Sequence, residues 1–239
     1  MFLLQENPFD LFGTTHAFAL LFFVLGGIVL VALGRSVQTK RQEELLRRGL
    51  VILSATLAAA LITFNLMSNG WDIHHSLPFH LCDTAYLLCH YALWTRKQWS
   101  FAILFYWGLT LTPQALITPF LPFDVPHVKA LMFWGLHFFV VWTAVFMTWG
   151  LGMRPKWENL KQTSVITLCF MALVFGFNAI FGTNYLYLNH KPVNPSLIDW
   201  LGPWPIYPFV MAFIGISLWA LITLPYKKKK FWPLDFDEF

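Results

Sequence analysis

Long apolar segments alternate with short polar connections along most of the chain. A helix needs roughly 20 apolar residues to cross about 30 Å of hydrocarbon. Seven segments approach that length: residues 14–33, 49–67, 77–94, 100–117, 128–150, 163–181 and 206–224. The third is short and the most polar. The pattern predicts an all-α, polytopic membrane helix bundle with seven transmembrane spans in a single membrane domain.

Positive charge follows every odd-numbered segment and is sparse in the alternate connections. The cations after the odd-numbered segments are Arg35, Lys40, Arg41, Arg47, Arg48, Arg96, Lys97, Arg154, Lys156, Lys161 and Lys227 to Lys230. Lysine and arginine collect in cytoplasmic loops. We therefore expect the N-terminus outside, the C-terminus in the cytoplasm, and residence in the plasma membrane as a multi-pass protein.

Composition supports a lipid environment. The chain is 57% hydrophobic and 12% charged, whereas soluble domains carry about 25% charged residues. Membrane lipids are the expected partners, and the basic clusters give no support to nucleic-acid binding. The three cysteines, Cys82, Cys89 and Cys169, lie in apolar segments and are expected to be free thiols.

Two stretches outside the predicted spans have unusual composition. Residues 183–205 contain four prolines, two tryptophans and leucine-rich runs, which favours an external interfacial loop or a lid over a simple connector. Residues 225–239 form a basic and then acidic tail, expected in the cytoplasm.

Polar side chains gather in the outer half of the predicted membrane domain. Such groups are costly in hydrocarbon and persist where they face water, a ligand or one another. We therefore hypothesise an outward-facing polar cavity that holds a lipid or a small polar ligand. The substrate-binding candidates are Gln114, Asn65, Asn178, Asn184, Tyr185 and Lys191. The alternative is that these groups only join helices, at about 0.6 kcal/mol per hydrogen bond.

Ionisable side chains in the third segment and one in the fifth are the catalytic candidates: His137, His80, Cys82 and Asp83. In a continuous helix His80 and Asp83 share a face, whereas Cys82 lies about 200° from His80. A base for the thiol is then expected from another helix, and His137 is the best candidate. The sequence has no tight metal-ligand spacing, so neither a metal nor a cofactor is predicted, although His80, Asp83 and His137 leave a zinc site open.

Several motifs are similar to a known family. LPFHLCD at 77–83, TPQALITP at 112–119, the isolated His137, and the NYLYL, KP and PSLIDWLGPWPIY runs across 184–207 resemble the YwaF-like family of bacterial integral membrane proteins. That family is similar to the eukaryotic transmembrane protein 164 group, implicated as acyltransferases that remodel phospholipids with a cysteine nucleophile and a histidine. The place of that cysteine is taken here by Phe79. The resemblance therefore assigns a functional role only to His80 and His137. Cys82, one turn deeper, is the candidate substitute for the family's cysteine.

Two function classes fit these residues. The first is a phospholipid-directed acyltransferase or lipid hydrolase in which His137 activates Cys82 or a water. The second is a small-molecule transporter or membrane substrate-binding subunit, because such proteins often use broken helices and Pro113, Pro119 and Pro208 could supply the breaks.

Overall fold

The computed structural model describes residues 7–68, 71–119, 121–192 and 197–227. Within these ranges the chain forms seven long helices and no β-strand. The helices are α1 (Thr14–Ser36), α2 (Lys40–Met67), α3 (Leu81–Thr95), α4 (Gln98–Ile117), α5 (Val128–Gly150), α6 (Trp157–Phe181) and α7 (Ile206–Thr223). All except α3 are long and apolar enough to cross a membrane. The protein is therefore an all-α protein of membrane type.

Helix α2 begins nine residues before the predicted span, which started at residue 49. The extension has a local cause, since the Thr39 hydroxyl accepts from the Gln42 amide and the Gln42 side chain accepts from the Thr39 amide. This reciprocal capping box satisfies amides that a helix start leaves unpaired. The basic stretch that follows is helical rather than a loop.

Helix α3 is shorter than the predicted third segment. It begins at Leu81, three residues after Pro78, and ends where Arg96 adopts a left-handed conformation with φ 54°. Its 15 residues extend about 22 Å, less than the roughly 30 Å of hydrocarbon. Its small residues lie in the protein core, with Ala85 and Cys89 fully buried.

An ion-pair network joins the start of α2 to the end of α3. The Glu43 carboxylate accepts from Arg47 Nε at 3.0 Å and from Arg96 Nη1 at 3.3 Å. Arg47 also donates to the backbone carbonyl of Leu93. These contacts hold the two helix ends on the same side of the bundle.

Helices α4 and α5 form the centre of the bundle. Over half of their span residues are buried, whereas almost none are in α1 and α2. Each central helix contains one π-helical turn, Trp107–Leu111 in α4 and Phe146–Gly150 in α5. Such turns interrupt the regular hydrogen bonding and are frequent at functional sites.

Helix α1 packs against α5 through glycine. A Cβ atom placed on Gly34 would lie 2.7 Å from the Cα of Gly150, so the two backbones touch. Farther along the same pair, Trp142 Nε1 donates to the Phe23 carbonyl at 2.7 Å. Small residues permit this close approach of membrane helices.

Candidate functional site

The candidate site lies at the N-terminal end of α3. His80 is the N-cap residue, with the extended dihedral angles φ −74° and ψ 148°. Asp83 lies in the first turn of α3, where a carboxylate interacts favourably with the helix dipole. Asp83 therefore stabilises the start of the helix, next to His80.

The segment after α6 folds over this helix end and is anchored by Asn178. Its Nδ2 donates to the Tyr185 carbonyl at 2.9 Å, while its Oδ1 accepts from the Thr183 hydroxyl at 2.7 Å and the Tyr185 amide at 2.9 Å. Asn178 is fully buried. The sequence placed this amide among the substrate-binding candidates, and in the structure its hydrogen bonds go to the loop.

Tyr185 joins that loop to the segment that precedes α3. Its hydroxyl donates to the Ile73 carbonyl at 2.6 Å and accepts from the Leu77 amide at 3.0 Å. Its ring packs 5.2 Å from the His80 ring. Burial raises the pKa of Tyr185 and outweighs the opposite influence of the Leu77 amide, so the phenol keeps its proton at neutral pH.

The next two residues have unusual backbone conformations. Leu186 and Tyr187 both have positive φ, 59° and 53°, which costs non-glycine residues about 1–3 kcal/mol each. The Tyr187 ring lies 5.7 Å from the His80 ring. Burial raises the pKa of Tyr187, so its hydroxyl is also a protonated donor at neutral pH.

His80 and Cys82 line one cavity of about 240 Å³. Its walls come from the start of α3, from α6 and α7, and from the loop that contains Tyr187. Most of the lining is apolar, and Thr167 is among the few polar members. Because His80 precedes the helix, the 200° helical-wheel separation does not describe its position relative to Cys82. We name this space the α3 cavity.

The Cys82 thiol lies against the π-helical turn of α4. Its Sγ is 3.8 Å from Thr112 Oγ1, and Thr112 Oγ1 donates to the Trp107 carbonyl at 3.2 Å. A threonine hydroxyl has one proton, so Cys82 is the donor in its contact with Thr112. The structure thus holds a protonated thiol at the cavity wall.

His137 lies on α5. Its Nδ1 is 2.7 Å from the Phe133 carbonyl, which can only accept, so Nδ1 carries a proton and Nε2 is the basic nitrogen of the neutral ring. His137 is buried and does not line the α3 cavity.

The other predicted ligand residues are dispersed. Asn184 bonds within its own loop, to His190 and the Asn189 amide. Lys191 Nζ donates to the Asp199 carbonyl at 3.1 Å. The Gln114 side chain is exposed near the end of α4, and Asn65 is half-buried near the end of α2.

The described residues also bear on the predicted metal site, tail and lid. The described residues contain no group of three or more His, Cys, Asp or Glu side chains arranged to hold a metal ion. Most of the predicted tail, residues 228–239, lies outside the described ranges, as do residues 193–196 of the predicted lid. Where described, that lid contains two short 3₁₀ helices, Tyr185–Tyr187 and Leu197–Leu201.

Two residues at the site were not among the sequence candidates. Thr112 contacts the thiol and Tyr187 lines the cavity. Both fall within motifs that carried the family resemblance, TPQALITP and NYLYL, which was the available signal. Their roles depend on a π-helical turn and on left-handed dihedral angles, which apolar periodicity does not reveal.

A family model and one curated protein match this chain. The model of the TMEM164 family matches residues 11–223. A Treponema pallidum (strain Nichols) protein named "Uncharacterized protein" is 25% identical over 185 residues, covering 77% of this chain and 76% of its own length. No solved structure gives a match.

Proposed function

This chain belongs to the TMEM164 family, and from that premise we propose that it is a membrane enzyme acting on phospholipid acyl chains, as an acyltransferase or a lipid hydrolase. The observation that carries the proposal is the lining of the α3 cavity. An apolar pocket with a few convergent polar groups is the usual form of a small-molecule site. Here those groups are a thiol, an imidazole and a phenol, from Cys82, His80 and Tyr187.

In the proposed reaction, the Cys82 thiol turns from Thr112 toward His80, and its sulfur attacks an ester carbonyl of the lipid while its proton passes to His80. The tetrahedral oxyanion accepts a hydrogen bond from the Tyr187 hydroxyl, which is the role of an oxyanion hole. Collapse breaks the ester bond and leaves a thioester on Cys82, and the lysophospholipid departs with the proton from His80. A water or a second lysophospholipid then takes the acyl group.

In this proposal His137, which does not line the α3 cavity, has a supporting role. Its Nδ1 donates to the Phe133 carbonyl, which leaves the basic Nε2 free to help position His80 in the form that accepts a proton. Direct activation of Cys82 or a water by His137 is the version that the sequence suggested. A pH profile of the His137→Gln variant separates the two, because a positioning role moves the apparent pKa of His80 without abolishing turnover.

The experiment is a lipid assay on purified protein in phosphatidylcholine vesicles containing lysophosphatidylglycerol. Mass spectrometry measures acyl exchange and free fatty acid. We expect product from the wild type and from Cys169→Ala, a control because Cys169 is exposed on α6, and loss of product from Cys82→Ala and His80→Ala. Full activity in both of the latter variants would refute the assignment. Retained activity in Cys82→Ala alone would make water the nucleophile.

A second candidate, capture or transport of a small polar ligand, is favoured by the interruption of α4. Its π-helical turn Trp107–Leu111 leads directly into a segment with Pro113, and transporters place broken helices near their binding sites. A small polar solute that raises the thermal stability of the protein without being converted would support this class.

We also propose seven spans, with α3 as the third and the N-terminus outside, in the plasma membrane. The network around Glu43 supports antiparallel α2 and α3, since it holds the start of one beside the end of the other. Thiol labelling of intact cells tests the orientation. A cysteine introduced at Asp10 should react with an impermeant reagent, and one introduced at Lys156 should not.

A further inference from the structure

A second, larger cavity lies beside α3. Its volume is about 590 Å³, and its walls come from α1, α2 and α5, with Tyr86 of α3. Ligand sites typically measure about 300–1,000 Å³. Along α5 the lining extends from Leu131 to Phe146, which is about 22 Å of helix. The cavity is therefore long as well as large, and we name it the α1–α2 cavity.

The cavity exists because two consecutive helices do not pack together. Helices α1 and α2 are separated by three residues. Helix α1 packs on α5, and α2 packs on α3 and α5, with few contacts between α1 and α2 themselves. Beyond the lining residues Leu30 and Phe146, α1 and α5 touch where Gly34 meets Gly150. The gap between α1 and α2 is therefore a feature of how both helices dock on α5.

The gap opens sideways, toward the surroundings of the bundle. Several lining residues are also largely exposed, including Phe22 and Val29 of α1 and Leu53 and Leu57 of α2, at 54–60%. These helices are among the six that are apolar and long enough to span a membrane. The opening therefore faces the region where lipid acyl chains lie.

The lining is almost entirely hydrocarbon. Its main polar groups are the hydroxyls of Ser54 and Tyr86, which lie 2.7 Å apart and form a hydrogen bond. The Tyr86 hydroxyl also donates to the Ser54 carbonyl at 3.1 Å. These groups satisfy one another, and a space without further polar partners does not hold ordered water.

We propose that the α1–α2 cavity is a binding site for one acyl chain of a membrane phospholipid, which enters between α1 and α2. Length, volume, apolar lining and lateral opening each match a hydrocarbon chain. The cavity shares no lining residue with the α3 cavity. The inference therefore goes beyond the proposed reaction and does not depend on it.

Two glycines provide a matched test. Gly135 lines the cavity, and a Cβ atom there would meet nothing within 4 Å. Gly135→Trp therefore fills the space without a clash at Cβ. Gly176 of α6 also has open space around its Cβ position but lines neither cavity, so Gly176→Trp is the control. Ala58→Leu fills the same cavity from α2 and provides a second variant should Gly135→Trp fold poorly.

The probe is phosphatidylcholine with a diazirine on one acyl chain, present as a trace in phosphatidylcholine vesicles that contain the full-length protein. After illumination, mass spectrometry maps the labelled residues. We expect labelling at cavity residues such as Leu61 and Leu136 in the wild type and in Gly176→Trp. In Gly135→Trp we expect this labelling to fall at least about tenfold, equivalent to about 1.4 kcal/mol, with no change at the exposed Phe213 of α7.

Two outcomes would overturn the inference. One is equal labelling of the cavity residues in Gly135→Trp and wild type while Ala58→Leu also has no effect, because the lipid would then lie outside the cavity. The other is a disulfide-linked dimer of the variant Leu57→Cys in vesicles under mild oxidation, which would assign the opening to a second copy of the chain. His80→Ala should label like the wild type, so failure of the proposed reaction does not affect this result.

Discussion

Truncation of Asn178 to alanine tests whether this amide anchors the loop over the α3 cavity. The change removes three hydrogen bonds that join α6 to Thr183 and Tyr185. The Thr183 hydroxyl can rotate to another acceptor, whereas the amide and carbonyl of Tyr185 cannot move independently of the loop. Two backbone groups are then left buried and unpaired.

The expected loss of unfolding free energy is about 2–6 kcal/mol, from about 1–3 kcal/mol for each of the two buried groups left without a partner. Thr183→Val is a milder variant, because it removes one donor and leaves both hydrogen bonds between Asn178 and Tyr185. We expect it to lower the unfolding free energy by about 1 kcal/mol. Asn184→Ala is a comparison in the same loop, because it removes hydrogen bonds within the loop and leaves the bonds of the loop to α6 in place.

Reversible unfolding in mixed micelles measures the free energies, and limited proteolysis of residues 183–192 reports whether the loop is released. We expect faster cleavage in the order wild type, Thr183→Val, Asn178→Ala. The reasoning is refuted if Asn178→Ala unfolds and is cleaved like the wild type. Loss of ligand binding with unchanged stability would instead assign Asn178 to the substrate, as the sequence suggested.

Three further predictions concern the helix contacts and the loop. Gly34→Ala should lower the melting temperature, because its Cβ would lie 2.7 Å from Gly150 and overpacking costs about 1–3 kcal/mol; Gly49→Ala, with nothing within 4 Å, should raise it or leave it unchanged. Glu43→Gln should destabilise the protein by about 3 kcal/mol, because two arginines lose their buried partner; chemical unfolding with no loss of stability would contradict this. Tyr185→Phe should accelerate hydrogen exchange in the segment before α3, since it removes the hydroxyl that accepts from the Leu77 amide. Unchanged exchange would show that the Tyr185 hydroxyl does not hold this segment.

The apolar pattern of the sequence determined the class of the protein. Segments such as 14–33 and 128–150 are too long and too apolar for a water-exposed surface. In hydrocarbon only helices and closed barrels satisfy every backbone group, and these segments are about twice as long as the roughly 9–11 residues of a barrel strand. The all-α membrane architecture follows from this requirement. Motifs such as LPFHLCD at 77–83 marked the region of the candidate site, because functional groups in an apolar segment are few and conspicuous.

Helix ends were harder to predict from the sequence, because they depend on individual hydrogen bonds. Helix α2 begins at Lys40 rather than at residue 49 because of one capping box. The start of α3 at Leu81 left His80 outside the helix. Helix α3 begins four residues later than the predicted segment, so the helical wheel from which we expected His80 and Cys82 to face apart does not apply to His80.

Tertiary structure alone decided which polar groups meet. Asn178 and Asn184 bond to the loop, whereas Thr112, 30 residues from Cys82, lies against its thiol. The α1–α2 cavity is also a tertiary property, because it arises where two helices dock separately on a third. Periodicity gives the face that a helix buries, but the partner on that face is set by packing between distant segments.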